Sequence, residues 1–189
     1  MSKTKIDLGC GIHRTEGFIG VDCVNLPGID IIHDLNMFPY PFDDNSIDEI
    51  VMNSVLQYLD NIGKVFEEIY RILKPGGILK FTVPYSGHQT SGSIGQRQRF
   101  LSRDFYYLEK ENTMHYRIFN KVDFKVLRVR YIFSTKEINK TSLWGPIYFL
   151  IGTIIQGLLN RSFKIREGYE LCWGFVFPLR EFEITMEKR

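Results

Sequence analysis

Asp7, Gly9 and Gly11 stand close together in the run Ile6-Asp7-Leu8-Gly9-Cys10-Gly11, and Asp22 follows at the end of Gly20-Val21-Asp22. The first run reads as a buried strand ending in a glycine turn. Glycines there let the backbone turn sharply and let a ligand lie against bare main chain. An acid closing the next strand suits the paired hydroxyls of a ribose. Phosphate binding fits less well, because Arg14 occupies the third-glycine position of Gly-x-Gly-x-x-Gly and no Gly-Lys-Ser/Thr tail follows. For proton transfer the candidates are Tyr85, His88 and His115, and a histidine titrates in the useful range. The competing reading of His88 is an exposed loop histidine without a role, while His33 and His115 read as structural. Arg97 and Arg99 could hold an anionic substrate bidentately or simply form a solvated basic loop. Cys10 and His13 could begin a metal site, but no second ligand pair follows, so no metal is expected.

The elements that must position these residues alternate in α/β fashion. Strands are expected at 5–8, 18–22, 29–33, 47–52 and 78–83, the third ending at Asp34. Val65, Ile69, Ile72 and Leu73 repeat at helical spacing, with Lys64, Glu67, Glu68 and Arg71 on the wet side; Lys74-Pro75-Gly76-Gly77 stops that helix. Only residues 12–17 separate the glycine turn from the second strand, too few for a full crossover helix. The ligand cleft is therefore expected to be open, or covered by a later segment. Residues 86–95 read as a mobile loop, and Ser102 as a helix N-cap. Residues 122–133 read as a long strand with a bulge near Leu127-Arg128. Residues 175–186 read as a last strand.

Taken together, Asp7-Leu8-Gly9-Cys10-Gly11, Gly20-Val21-Asp22, His33-Asp34-Leu35-Asn36, the stretch 38–50, Val55-Leu56-Gln57-Tyr58-Leu59 and Leu73-Lys74-Pro75-Gly76-Gly77-Ile78-Leu79 resemble the class I S-adenosylmethionine (SAM)-dependent methyltransferases of the small-molecule branch. The resemblance covers roughly the first half of the chain. It implies a Rossmann-like, mostly parallel seven-stranded sheet, its last two strands antiparallel at one edge and its N-terminal part shortened. It implies one domain over 1–189, with a cofactor-binding half (1–84) and an acceptor-side half (85–189). The cofactor it implies is SAM. Gly9 and Gly11 would admit the methionine portion, with Asp7 orienting it and Cys10 in the turn. Asp22, followed by Cys23, would accept the ribose hydroxyls. Asp34, Leu35 and Asn36 would read the adenine, and Asn53 and Ser54 would lie under the methionine end. His88 and Tyr85 would be catalytic. Gln57-Tyr58 stands where many relatives carry an acid and a histidine, so a role for that pair does not carry over. The expected activity is methyl transfer by in-line displacement to a small-molecule or lipid- or saccharide-linked acceptor. The alternative is a methyltransferase-like protein that binds SAM without turnover as a partner or regulatory subunit.

The 189 residues suit one domain with a sizeable core. A net charge of +2 gives no basic stripe and no expectation of nucleic acid. Three cysteines in no framework spacing point to a reducing compartment, hence a cytoplasmic location. The N-terminus is too short for a signal peptide before the first strand. Residues 141–160 carry no charge and are followed by Arg161, Lys164 and Arg166. This segment reads as a lid over the cleft or a dimer contact ahead of a peripheral membrane contact.

Overall fold

The computed structural model describes residues 3–86, 94–111, 119, 121–132, 145–172 and 180–189. Short apolar runs close into one seven-stranded sheet: β1 (Lys5–Leu8), β2 (Ile19–Asp22), β3 (Ile31–Ile32), β4 (Ile47–Asn53), β5 (Leu73–Pro84), β6 (Phe124–Ile132) and β7 (Glu181–Lys188). Their spatial order is β3-β2-β1-β4-β5-β7-β6. The first five are parallel, and β7 runs antiparallel between β5 and β6. This is the Rossmann-like sheet expected from the sequence, with its antiparallel pair at one edge. The bulge falls where it was expected, as a register shift between Val126 and Arg128.

Alternation within the strands sorts the sheet into two unlike faces. Ile6, Ile50, Leu79, Phe81, Ile184 and Tyr131 point into the core, where α1 (Ile62–Ile72) packs Val65, Phe66, Ile69 and Ile72. The opposite face carries charges across adjacent strands. Lys5 pairs with Glu49 at 2.9 Å, Lys80 with Glu49 at 2.7 Å, and Arg130 with Glu183 at 3.8 Å. Parallel sheets are normally covered on both faces. Here the β1–β2 crossover is made by residues 9–18 without a helix, as the short spacing required, and this loop only crosses Asp7, whose Oδ2 accepts the Thr15 N–H at 2.8 Å.

One correction concerns the second half of the chain. Ser102 does not cap the 3-10 helix Ser102–Leu108. Leu101 keeps an extended backbone after Phe100 bridges Tyr85, and its N–H donates to Asp104 Oδ2 at 2.8 Å. Ser102 is buried inside the turn, its N–H donating to Glu170 Oε1 at 3.2 Å. The described part of the uncharged segment packs at the far edge of the sheet. Its helix α2 (Gly145–Leu159) lies along β6, at the sheet edge four strands from β1. Asn160 holds it there by accepting the Tyr131 N–H at 2.9 Å and donating to the Tyr131 carbonyl at 3.3 Å. A second helix, α3 (Phe163–Cys172), then buries Tyr169 and brings Glu170 Oε1 to within 2.7 Å of the Tyr131 hydroxyl. Among the described residues, no helix is long and apolar enough to cross a membrane.

Candidate functional site

The carboxyl ends of β1, β2 and β4 open onto a cavity of about 310 Å³, at the low end of the usual range for small-molecule sites. Open α/β sheets bind ligands at this end. Gly9, Asp22, Cys23, Asp34, Leu35, Asn36 and Ser54, all expected at a cofactor, line it together. His33, Val55, Tyr58 and Leu59 complete the lining. No lysine or arginine is among these residues, so two carboxylates set the sign of the site.

Each wall has a local cause. The glycine turn is tied to β2 where the Gly9 N–H donates to the Val21 carbonyl at 2.7 Å. Gly9 and Gly11 turn with φ of +71° and +53°, the left-handed region that glycine enters without a Cβ penalty. Asp22 is half-buried; its Oδ2 accepts the Gly11 N–H at 2.9 Å and its Oδ1 the Val24 N–H at 3.1 Å. An ionised carboxylate offers about four acceptor positions, so two remain for a ligand. Asp34 closes a turn, its Oδ1 accepting the Asn36 N–H at 2.9 Å. Asn36 Oδ1 in turn accepts the Asp60 N–H at 2.9 Å, joining the β3 end to the segment after β4. Ser54 holds φ of +55°, a backbone state uncommon for a residue with a Cβ. It is fixed there by its N–H, which donates to the Thr82 carbonyl and to Thr82 Oγ1, both at 3.1 Å.

Other expected site residues stand behind this lining. Asp7 is buried, and its Oδ1 has no hydrogen-bond partner among the described residues. Such a buried acceptor calls for a donor. Cys10 is buried against Gly20, and burial, then Asp7 and Asp22, push its thiol pKa up. Cys23 is exposed at the cavity, its thiol also raised, first by burial and then by Asp22. Gly11 and Asn53 adjoin the cavity in sequence without lining it. Tyr85 does not line it either. Its ring is buried against Phe182 at 5.6 Å, and burial followed by Glu170 raises its phenol pKa, which keeps the proton on. His88 and His115 lie outside the described residues, as do most of 86–95.

Two features of the site were not read from the sequence. His33 lines the wall, edge-on to Tyr40 at 5.4 Å, its Nε2 3.0 Å from the Met37 carbonyl. Gln57 is buried and organises the segment after β4: its side-chain Nε2 donates to the Ser54 carbonyl at 2.7 Å, and its main-chain carbonyl accepts the Arg97 and Gln98 N–H groups at 2.7 and 3.1 Å. Arg97 also pairs with Asp60. The signal for this wall was its place directly after a strand's carboxyl end, not its composition.

Residues 6–81 match the family model described as a methyltransferase domain. A phosphoethanolamine N-methyltransferase 2 of Caenorhabditis elegans is 33% identical over 67 residues, which are 33% of this chain and 15% of that protein's length. Among solved structures, a SAM-dependent methyltransferase from Archaeoglobus fulgidus superposes with a TM-score of 0.61 at 15% identity, covering 98% of this chain and 86% of that one. Haemonchus contortus phosphoethanolamine N-methyltransferase 2, solved with phosphomonomethylethanolamine and S-adenosylhomocysteine, gives 0.53 at 16% identity over 100% of this chain and 50% of that one.

Proposed function

We propose that this chain, which has the class I SAM-dependent methyltransferase fold, binds SAM in the cavity between Gly9, Asp22, Asp34 and Ser54 and transfers its methyl group to a small-molecule acceptor. The observation that carries this reading is the cavity's charge: two carboxylates and, among the described residues, no lysine or arginine in its lining. Among those residues a dinucleotide's pyrophosphate would meet no cationic side chain. A cationic sulfonium cofactor with a ribose diol and an adenine amino group suits acceptors of that kind.

In this reading Asp22 spends its two remaining acceptor positions on the ribose hydroxyls. Asp34 Oδ2 accepts from the adenine amino group, beside Leu35 and Asn36. Gly9 and Gly11 leave the main chain bare for the methionine portion, and the unpartnered Asp7 Oδ1 is the acceptor nearest that turn in sequence. Bound SAM supplies an electrophilic methyl and a good leaving group. The protein's share is to align the acceptor and keep water out. A base is needed only when the acceptor must lose a proton, and His88 is proposed for that case. The phosphorylated amine held by the Haemonchus contortus enzyme is the first acceptor to assay, and Arg97→Ala and Arg99→Ala test whether either guanidinium meets its phosphate. A second reading, SAM binding without turnover, draws on Gln57, whose backbone and side chain are committed to holding the loop where relatives carry an acid–histidine pair.

Calorimetric titration with S-adenosylhomocysteine tests the cofactor assignment. Wild type should bind in the micromolar range. Asp22→Ala should bind about 10- to 100-fold more weakly, matching roughly 1.5–3 kcal/mol for a hydrogen bond to a charged group. Asp22→Asn, which keeps one acceptor oxygen, should lie between. No binding by folded wild type would sink the cofactor reading. Binding without methyl transfer to any acceptor screened would favour the second.

A further inference from the structure

We propose that α2 and the start of α3 form a peripheral docking surface for an anionic lipid bilayer. The cofactor reading is not needed for this. Within residues 150–159 only Thr153 and Gln156 of the helix are polar, a composition that fits a helix with two apolar neighbours better than a solvated one. One neighbour is present: Leu159 is buried in the main core, and Asn160 clamps the helix end to β6. Among the described residues the other side has no neighbour. Leu150, Ile154 and Leu158 recur every four residues and so share one face; they are 61%, 55% and 46% exposed, and Ile165 beyond them is 47% exposed.

Charge selects the occupant. From Thr141 to Arg166 the sequence has no Asp or Glu, and Arg161, Lys164 and Arg166 follow the apolar face directly. Arg161 and Lys164 are exposed. A second copy of the chain would bring the same cations against each other across a two-fold contact, whereas anionic headgroups neutralise them. Cations near such a surface gain about 1 kcal/mol each. The helix has 15 residues, so it is about 22 Å long, short of the roughly 30 Å of a hydrocarbon core. It can therefore lie in the interface but not span it, which agrees with its being pinned to the sheet along one side.

The placement also has a use. Asn160 meets Tyr131 one residue from the end of β6, and Ile132 is level with Glu181 and, across β7, with Pro84 of β5. That is the sheet end on which the cofactor cavity opens. A bilayer seated on α2 would meet the molecule at the acceptor end, three strands from β4 and so about 14 Å across the sheet. An acceptor carried on a lipid would be delivered there.

Flotation with vesicles of 3:1 phosphatidylcholine:phosphatidylglycerol, against pure phosphatidylcholine, tests this on the full chain. Wild type should float with the anionic vesicles, at least ten-fold less with the neutral ones, and should be released by 0.5 M salt. Ile154→Glu combined with Leu158→Glu should abolish flotation while leaving the melting temperature and S-adenosylhomocysteine binding unchanged. Arg161→Glu with Lys164→Glu should abolish it with the apolar face intact. Flotation equal on both vesicle types, or none by folded wild type, overturns the proposal. So does a dimer in sedimentation analysis that Ile154→Glu dissociates without any vesicle binding.

Discussion

At Gly9 the backbone turns with φ of +71°, and a Cβ built there would stand 2.5 Å from Val55 Cγ2 and 2.7 Å from Cγ1. Val55 lines the cofactor cavity, so the glycine and the cavity wall are fitted to one another. Gly9→Ala should cost about 1–2 kcal/mol for the left-handed backbone alone, plus the displacement of Val55. A lower melting temperature and lost S-adenosylhomocysteine binding are expected. Adding Val55→Ala should recover part of the stability, because it removes the clash but not the backbone cost; no recovery would mean that the steric contact is not the cause. The place of Asp22 in the cavity wall was legible at this scale, because an acid closing the strand after a glycine turn stands where such sheets take ligands. Ser54 was expected at the site; what fixes its backbone, and the part played by Gln57, were not. The first rests on Thr82, on a neighbouring strand, and the second on backbone donors forty residues away.

Helix α1 holds more than its own apolar stripe. From its last turn Arg71 donates to Glu68 Oε2 at 2.8 Å, to Asp44 Oδ1 at 2.7 Å, and to the carbonyls of Phe42 and Tyr40 at 2.8 and 3.0 Å. One side chain thus fastens the loop between β3 and β4. Burial pushes the Glu68 carboxyl pKa up, but Arg71 and the Tyr40 N–H outweigh it and hold it below the usual range. Glu49 is lowered in the same way against Lys80 and Lys5, and Asp48 by Lys74 and the Thr4 N–H. Carboxylates with depressed folded pKa values stabilise the protein above their unfolded pKa, near 4, and lose that contribution as pH falls through the folded value. Urea midpoints should therefore drop below about pH 4. Arg71→Met should lower stability at pH 7 by roughly 2–3 kcal/mol, less than for a fully buried pair, and should flatten the acid limb. An unchanged limb would remove Glu68 from this account. The strand cores were legible but not every end: the fifth strand, expected from residue 78, begins at Leu73, and of the last, expected at 175–186, the described part runs Glu181–Lys188 while 175–179 lie outside the described residues. The site of α2 was not legible, because its docking rests on Asn160 pairing with the backbone of Tyr131, a contact that leaves no period in the sequence.

For the molecule as a whole, the sheet has one apolar, helix-packed face and one charged face that the described helices leave uncovered. Neighbouring residues of β5 report the difference. Phe81 is buried with its ring 6.0 Å from Phe66 and 5.1 Å from Phe105, while the Lys80 side chain is half-exposed beside Glu49. Phe81→Ala should cost about 3–5 kcal/mol and Lys80→Ala within about 0.5 kcal/mol, the usual size for an exposed pair. Chemical denaturation measures both; similar losses would mean that something covers the charged face. The seven-stranded plan was legible from strand count and order, and the bare face was implied by Lys5, Glu49, Lys80, Glu183 and Glu187 alternating with core residues.

The position of β7 in that sheet also sets a schedule. β6 leaves the ribosome first, yet its one strand partner among the described residues, Glu181–Lys188, follows about fifty residues later, a delay of roughly 3–10 s at ordinary elongation rates. During that interval β5 presents an open edge, and Val126, Val129 and Tyr131 belong to a strand with nothing to pair with. The nascent chain therefore passes through a state that invites wrong pairing. Any slowing of translation between the two strands would lengthen it.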